Sequence, residues 1–307
     1  MKQIIDEFLE LELLSGIANP NEFYHQVAAQ IHRLNFQILK AEKKGYERSQ
    51  IITTLEPIRA IYQKSPFFWR IQSWPRGYPG DFETIEYVCE GINKSSQNTL
   101  AYFLEKWTLN CSAVQQHRNK VKYQAFQILE TLLNREKPRI FLIACGGCPD
   151  LSLIQRYFEN MEIGEIVLND IDDKALEFSQ ARLKTGKVKF RWEPGNIVRV
   201  IKKLDNEEKF DLIIAGGLFD YLSNKTIASL TKKACNLLKN GGKFVATNIA
   251  VGNPHRPWME YIGDWVLIER HETDFLRIFH EVGLDKAKVE IKREETGLTL
   301  IIEITTQ

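Results

Sequence analysis

The stretch "IACGGCPDLSLI" (143–154) concentrates more reactive chemistry than any other window of the chain. Cys145 and Cys148 bracket Gly146 and Gly147 directly after the apolar run "RIFLI". Such a segment could hold zinc, exchange a disulfide, cradle a phosphate or carry a nucleotide against its backbone. A structural zinc site needs four ligands, and no second CxxC or paired His run supplies the other two. A thioredoxin-type pair opens a helix with variable residues between its cysteines, whereas two glycines fill that interval here. A phosphate loop would continue with Gly-Lys-Ser/Thr, and a dinucleotide fingerprint with a third glycine; after Gly147 come Cys148, Pro149, Asp150 and Leu151 instead. The surviving reading is a glycine turn lying under a nucleotide-like cofactor, with no metal.

Such a turn works only at the end of a strand, and the flanking pattern provides one. After Lys137 the sequence alternates between apolar, β-branched runs and helical segments. Strands are expected at "RIFLIA", "EIVLND", "KVKFRWE", "FDLIIAGG", "KFVATNIA", "KAKVEIKRE" and "LTLIIEITT". The helices between them are "LSLIQRYFE", "DKALEFSQARLK", "IVRVIKKL", "NKTIASLTKKACNLLKN" and "ETDFLRIFHEVG". This alternation predicts an α/β fold with a parallel sheet covered on both faces. The last two strands are separated only by "ETG", so they form a hairpin and the final strand is antiparallel. A seven-stranded, Rossmann-like sheet with that ending is the arrangement of class I methyltransferases. Residues 1–135 read as helices, capped for example by Asn21 and closed by Gly45; "SPFFWRIQSWPRGYPG" has no clear period and reads as a loop. The predicted division is a helical N-terminal cap (1–135) and a cofactor-binding domain (136–307).

In an open parallel sheet the ligand sits beyond the carboxyl ends of the strands. Ala144, Cys145 and Gly146 end the first strand. At the second tip Asp170, followed by Ile171, can accept both ribose hydroxyls through its two carboxylate oxygens, while Asp172 suits the cap of the next helix. The third tip offers Gly195 and Asn196, whose amide could bond an adenine edge or merely close a turn. The fourth gives Ala215, Gly216 and Gly217, which leave room for a methionine end, then Phe219 and Tyr221. Taken together, these tips favour S-adenosylmethionine over NAD or FAD.

Three further motifs carry a resemblance. "GLFDYL" (217–222), "NPHRPWMEYIGDWVLIER" (253–270) and "PRGYPGDFE" (75–83) resemble the bacterial methyltransferases that make 3-hydroxy fatty acid methyl esters as quorum signals, over roughly residues 70–307. The resemblance implies a helical cap on a class I methyltransferase domain and a carboxyl acceptor. Two positions depart from it: Ala144 replaces the usual opening glycine of the first turn, and His255 a serine commonly seen before the arginine. An acceptor carboxylate is already ionised and needs only a cation to orient it, for which Arg76, His255 and Arg256 are candidates. For a hydroxyl or amine acceptor, His255 becomes the natural base. Trp258, Tyr261, Phe219 and Tyr221 could wall the acceptor site, or the tryptophan and tyrosine, with Trp265 at helical spacing from Tyr261, could simply pack. Arg76, Tyr78 and Asp81 could close over the cofactor's charged end, although Asp81 also suits a plain helix cap. An N-methyltransferase of a natural product, a non-catalytic cofactor-binding scaffold and a nicotinamide oxidoreductase stand as alternatives.

The composition bounds what remains. With Lys+Arg 41 against Asp+Glu 40, the chain has no electrostatic footprint for nucleic acid or anionic membrane. Five cysteines, an odd number in a chain of 307 residues, do not make a disulfide framework. No run is long enough for a membrane span, and the acidic N-terminus lacks a signal-peptide layout. The expectation is a cytoplasmic protein with a small-molecule acceptor, of unspecified oligomeric state.

Overall fold

The computed structural model describes residues 1–16, 18–160, 163–183, 188–284 and 287–306. In chain order the helices and strands are α1 (Lys2–Leu14), α2 (Pro20–Lys43), α3 (Arg48–Tyr62), α4 (Pro66–Ser73), α5 (Phe82–Glu90), α6 (Leu100–Asn110), α7 (Ser112–Asn134), β1 (Arg139–Ile143), α8 (Pro149–Ile154), β2 (Glu165–Asp170), α9 (Asp173–Arg182), β3 (Phe190–Pro194), α10 (Ile197–Leu204), β4 (Phe210–Ala215), α11 (Asn224–Asn236), β5 (Leu238–Ile249), α12 (Arg256–Tyr261), α13 (Glu272–Glu281), β6 (Lys288–Arg293) and β7 (Thr299–Thr305). Short 3₁₀ turns follow α8 and β4. Packing divides the chain into a helical unit, Met1–Gln115 with Asn253–Val266, and a sheet unit, Gln116–Gly252 with Leu267–Gln307. The expected boundary near 135 therefore moves to 115/116 within α7, and the segment after β5 packs with the helices.

In the helical unit, α2 starts where Asn19 accepts the Asn21 and Glu22 amides, two residues before the expected cap. Its Phe23, Val27, Ile31, Leu34 and Ile38, spaced three or four apart, are all buried. The aromatic stretch expected as a loop is helical over α4. Ser65 caps it by accepting the Phe68 amide, Pro66 takes the first position, and Phe67, Phe68 and Ile71 turn inward. Eight residues are too few to establish a period, so the cap and the proline were the readable signals. The remainder, "WPRGYPG", is the predicted turn, with Gly77 and Gly80 at positive φ.

The sheet unit holds one seven-stranded sheet in the order β3-β2-β1-β4-β5-β7-β6. β1 to β5 pair in parallel, and β7 lies antiparallel between β5 and β6. This is the class I methyltransferase sheet that the alternation and closing hairpin predict. β1, β2 and β4 are buried throughout, as expected of strands covered on both faces. The order reverses at β1, so the crevice suited to a ligand lies at the carboxyl tips of β1, β2 and β4. Two boundaries shift. β5 begins at Leu238, so the end of "NKTIASLTKKACNLLKN" is strand rather than helix, and the register slips beside Phe210 and Leu212. Lys184, Lys187 and Lys286, at the edges of expected elements, lie outside the described residues.

Candidate functional site

The turn after β1 is built against the usual preference of its residues. Ala144, Gly146 and Cys148 take φ of 50°, 55° and 54°. Two of the three carry a Cβ, which crowds the following carbonyl in this left-handed region. Such backbone persists only where neighbours over-determine it. The Cys145 amide donates to the Asn169 carbonyl at 2.9 Å, and the Gly146 amide to Asp170 Oδ2 at 2.8 Å. Where the resemblance has an opening glycine, the chain thus holds a left-handed alanine.

Asp170 is the hinge of this arrangement. It ends β2, is 7% exposed, and accepts the Asp172 amide on Oδ1 at 2.9 Å besides the Gly146 amide on Oδ2. Each carboxylate oxygen has two lone pairs, so acceptor capacity remains beyond the amides that approach it, Ile171 included. Burial pushes the Asp170 carboxyl above its ordinary range, partly opposed by those amide donors. Asp172 caps α9 by accepting the Lys174 amide, as its position predicts. Ile171, next to Asp170, is 69% exposed, an apolar side chain in the open at a strand tip.

Asn169, unmarked in the sequence, fixes the next tip. Its buried amide donates to the carbonyls of Glu193 (2.8 Å) and Gly195 (2.9 Å), and the Gly195 amide donates to the Asp170 carbonyl. Asn196 then caps α10, its oxygen accepting the Val198 amide at 2.9 Å. From Asn196, Ile197 and Leu218 a groove of about 340 Å³ runs between α10 and α11, lined also by Leu222, Thr226 and Leu230, within the size range of small-ligand sites.

The fourth tip differs from expectation. Ala215 and Phe219 are fully buried, and Phe219 stacks on Phe275 at 6.2 Å, so both belong to the core rather than to a ligand wall. Tyr221 is 39% exposed. The space left by Gly216 is taken: a Cβ there would lie 2.1 Å from Gln124 Nε2. α7 supplies this amide from a polar row, Gln116, Lys120, Gln124 and Gln127, all buried. Gln116 bonds Thr299, and Gln127 accepts Lys243. The spacing of that row was legible, but a polar stripe on a helix ordinarily marks the solvent face. In "GLFDYL", Asp220 accepts the Ile249 amide at 2.6 Å and stands 3.7 Å from Lys120 Nζ. Burial pushes the Asp220 carboxyl up, and Lys120 and Arg270 oppose it. Arg270, 3% exposed, bonds the Phe219 carbonyl and Asn248 and so fixes the motif.

Cys145 and Cys148 are free. Contact with Cys148, then burial, pushes the Cys145 thiol well up. For Cys148 the Cys145 contact pulls down, but burial and the Asp150 and Asp170 charges outweigh it. Thiols held in this way are poor nucleophiles. No group of three or more metal-type ligands occurs among the described residues.

Within the helical unit, His255 precedes α12, is 6% exposed, and shares a 2.8 Å hydrogen bond between Nε2 and Ser112 Oγ. Its Nδ1 is buried with no hydrogen-bond partner among the described residues. Burial, and then His32, push its pKa down to about 4, so the ring is neutral at pH 7 and cannot hold a carboxylate by charge. The guanidinium of Arg256 is occupied by Glu42 (3.0 and 2.6 Å) and Glu260 (2.9 Å), which corrects the expectation that it awaits an acceptor. Tyr261 donates its hydroxyl to the same Glu42 at 2.7 Å. Trp258 packs edge-on against Phe68 and Trp107 at 5.4 and 5.6 Å, and Trp107 contacts His255 at 5.6 Å. Trp265 falls outside α12 and so does not share a helix face with Tyr261. Arg76 covers the Phe82 ring at 5.1 Å, and Tyr78 lies in the same turn. Asp81, 1% exposed, caps α5 through the Thr84 amide and is neutralised by Arg70 at 2.8 Å. That pairing supersedes the expected role of Asp81 beside a sulfonium.

Residues 143–244 match a family model described as a methyltransferase domain. No curated protein matches the chain significantly. Among solved structures, a Bordetella parapertussis protein described as a possible exported protein is similar over 94% of this chain and 99% of its own, at 16% identity and TM-score 0.63. Magnesium protoporphyrin IX methyltransferase from Synechocystis with bound SAH matches over 64% and 88%, at 11% identity and TM-score 0.45. The O-methyltransferase TomG from Streptomyces achromogenes matches over 60% and 80%, at 18% identity and TM-score 0.41. Among the described residues no helix is long and apolar enough to cross a membrane.

Proposed function

We propose that this chain, whose residues 143–244 match a methyltransferase-domain model, is an S-adenosylmethionine-dependent methyltransferase that acts on a carboxyl oxygen of a small, fatty-acid-like molecule. The observation that carries the cofactor part is Asp170. Its buried carboxylate already orders the β1 turn, yet keeps unused lone-pair positions at the tip of β2. Ribose hydroxyls would donate to those positions, Ile171 would lie against the adenine face, and the Asn196 amide group would reach the purine edge. The groove that starts at Asn196 and Leu218 has the volume for such a base.

S-adenosylmethionine supplies a methyl group on an electrophilic sulfonium. The protein's part is alignment of the acceptor and exclusion of water. A carboxylate is ionised near neutral pH and needs no base, which agrees with a His255 ring that is neutral and only weakly basic. His255, Ser112 and Trp258 would give the helical unit a mostly apolar receptor with a neutral polar contact, and the three motifs resembling the fatty-acid methyl ester enzymes point to the same acceptor class.

Asp170→Asn keeps an acceptor for the Gly146 amide, gives up the one for the Asp172 amide, and loses charge toward a diol. By calorimetry it should weaken S-adenosylhomocysteine binding about 10- to 100-fold, the range of a charge-assisted hydrogen bond. Undiminished binding would refute the cofactor site. Incubation with methyl-labelled cofactor and fractionated lipid extract should give a base-labile product; a base-stable one would refute the carboxyl acceptor.

A further inference from the structure

We propose that Lys120, on α7, is the receptor for the amino-acid carboxylate of the cofactor; the inference rests on the cofactor reading above. Lys120 is 5% exposed, although lysine is rarely buried unless paired. Its charged neighbour Asp220 lies at 3.7 Å, beyond hydrogen-bond length, and spends its other oxygen on the Ile249 amide. An ammonium has three donors and no acceptor, and beyond the 3.7 Å approach to Asp220 this one makes no hydrogen bond of ordinary geometry among the described residues. The pair neutralises net charge but leaves donors unused.

The position of the ammonium says what should use them. A Cβ on Gly217 would lie 3.3 Å from Lys120 Nζ, so the ammonium stands directly over the bare backbone beyond β4. Gly216 is shielded by Gln124, whereas Gly217 puts no side chain between its backbone and the Lys120 ammonium. β4 lies beside β1, with Leu142 opposite Ile214, and β1 beside β2, with Ile143 opposite Asn169. From the Asp170 tip to the β4 tip is therefore two strand spacings, roughly 10 Å. An extended chain from ribose through sulfur to carboxyl covers that span. With the ribose on Asp170, the far end of the amino acid reaches Lys120, which attracts its carboxylate and repels its ammonium. Lys120 thereby sets which way the methionine end turns.

The test compares two ligands that share adenosine and differ in the amino-acid end. S-adenosylhomocysteine carries the carboxylate, and 5′-methylthioadenosine lacks the whole group. In Lys120→Met, calorimetry should show the Kd for S-adenosylhomocysteine raised about 10- to 100-fold, as for loss of a charge-assisted hydrogen bond, and the Kd for 5′-methylthioadenosine changed by less than about twofold. Because removing the lysine leaves Asp220 buried without its cation, Lys120→Met/Asp220→Asn is measured in parallel and should show the same discrimination. Lys120→Arg should restore it. Equal weakening of both ligands in both variants, or no weakening of either, would overturn the proposal. Failure of the unaltered protein to bind either compound would instead overturn the cofactor reading beneath it.

Discussion

His255 offers the most direct link between structure and solution behaviour. Its folded pKa is depressed from 6.5 to about 4 by burial and by His32. The folded state therefore prefers the neutral ring, whereas the unfolded chain takes up a proton near 6.5. The stability contributed by the neutral, buried ring is fully present above pH 6.5 and is lost as the pH falls from 6.5 toward 4. At about 1.4 kcal/mol per pH unit, the loss attributable to this residue is about 2 kcal/mol at pH 5 and about 3 kcal/mol at pH 4. His255→Gln retains a hydrogen-bonding side chain toward Ser112 but does not titrate. The assay is urea unfolding at pH 7.5 and pH 5.0 followed by tryptophan fluorescence, which reports chiefly on the helical unit because Trp69, Trp74, Trp107, Trp258 and Trp265 all lie there. The unaltered protein should lose about 2 kcal/mol more than the variant between the two conditions. Other groups, including the depressed His117, titrate in both proteins and cancel. Parallel losses would refute the buried neutral ring.

Two further substitutions probe the strand tips. Gly216→Ala places a Cβ 2.1 Å from Gln124 Nε2; it should cost about 1–3 kcal/mol in thermal or urea unfolding, and Gln124→Ala in the same chain should recover most of the loss. Failure of the second change to rescue the first would mean that the Gly216 backbone, not the Gln124 contact, demands glycine. Ala144→Gly should stabilise the protein by about 1 kcal/mol, because relief of left-handed strain at φ 50° outweighs the added freedom of the unfolded chain; an unchanged or lowered midpoint would show that the turn carries no strain.

The sheet was readable because each strand is a short apolar run bounded by polar turns, and because the three-residue "ETG" left a hairpin as the simple ending. The positions of Asp170 and the glycine turn at strand ends were readable for a related reason, since each closes an apolar run. The fourth tip was misread because Gly216 indicates only that something comes close. A sequence names neither Gln124 as the neighbour nor ligand as the alternative. Phe219 was misplaced on similar grounds, since proximity to a strand tip does not say whether an aromatic ring turns to the crevice or joins Phe275 in the core. α7 shows the deeper limit. Its Gln116, Lys120, Gln124 and Gln127 look like a solvated stripe, yet they are buried, while Phe126 and Leu133 of the same helix are 57% and 66% exposed. Binary patterning presumes that polar residues face water, and it inverts here, where Gln116 bonds Thr299 and Gln127 accepts Lys243.

The strained turn after β1 has its physical basis in the strand ends. Parallel strands stop at their carboxyl ends with unpaired backbone groups, and each tip here is closed by a side chain from elsewhere: Asp170 for Gly146, Asn169 for Gly195, Thr247 for Gly217 and Asp220 for Ile249. Buried amides without partners would cost more than the strain of Ala144 and Cys148, so the sequence tolerates left-handed residues and buried charges around these caps. Asp170 in particular serves the turn before it serves a ligand. Its removal by Asp170→Ala would release the Gly146 and Asp172 amides together, and a loss of cofactor affinity would then report a collapsed turn as readily as a missing ribose contact. Asparagine narrows the ambiguity, because its single oxygen still accepts one of the two amide protons while its Nδ2 turns toward the other and its charge is gone. A binding defect in Asp170→Asn at unchanged thermal stability is therefore the result that assigns the carboxylate to the ligand, and equal loss in both measurements assigns it to the fold.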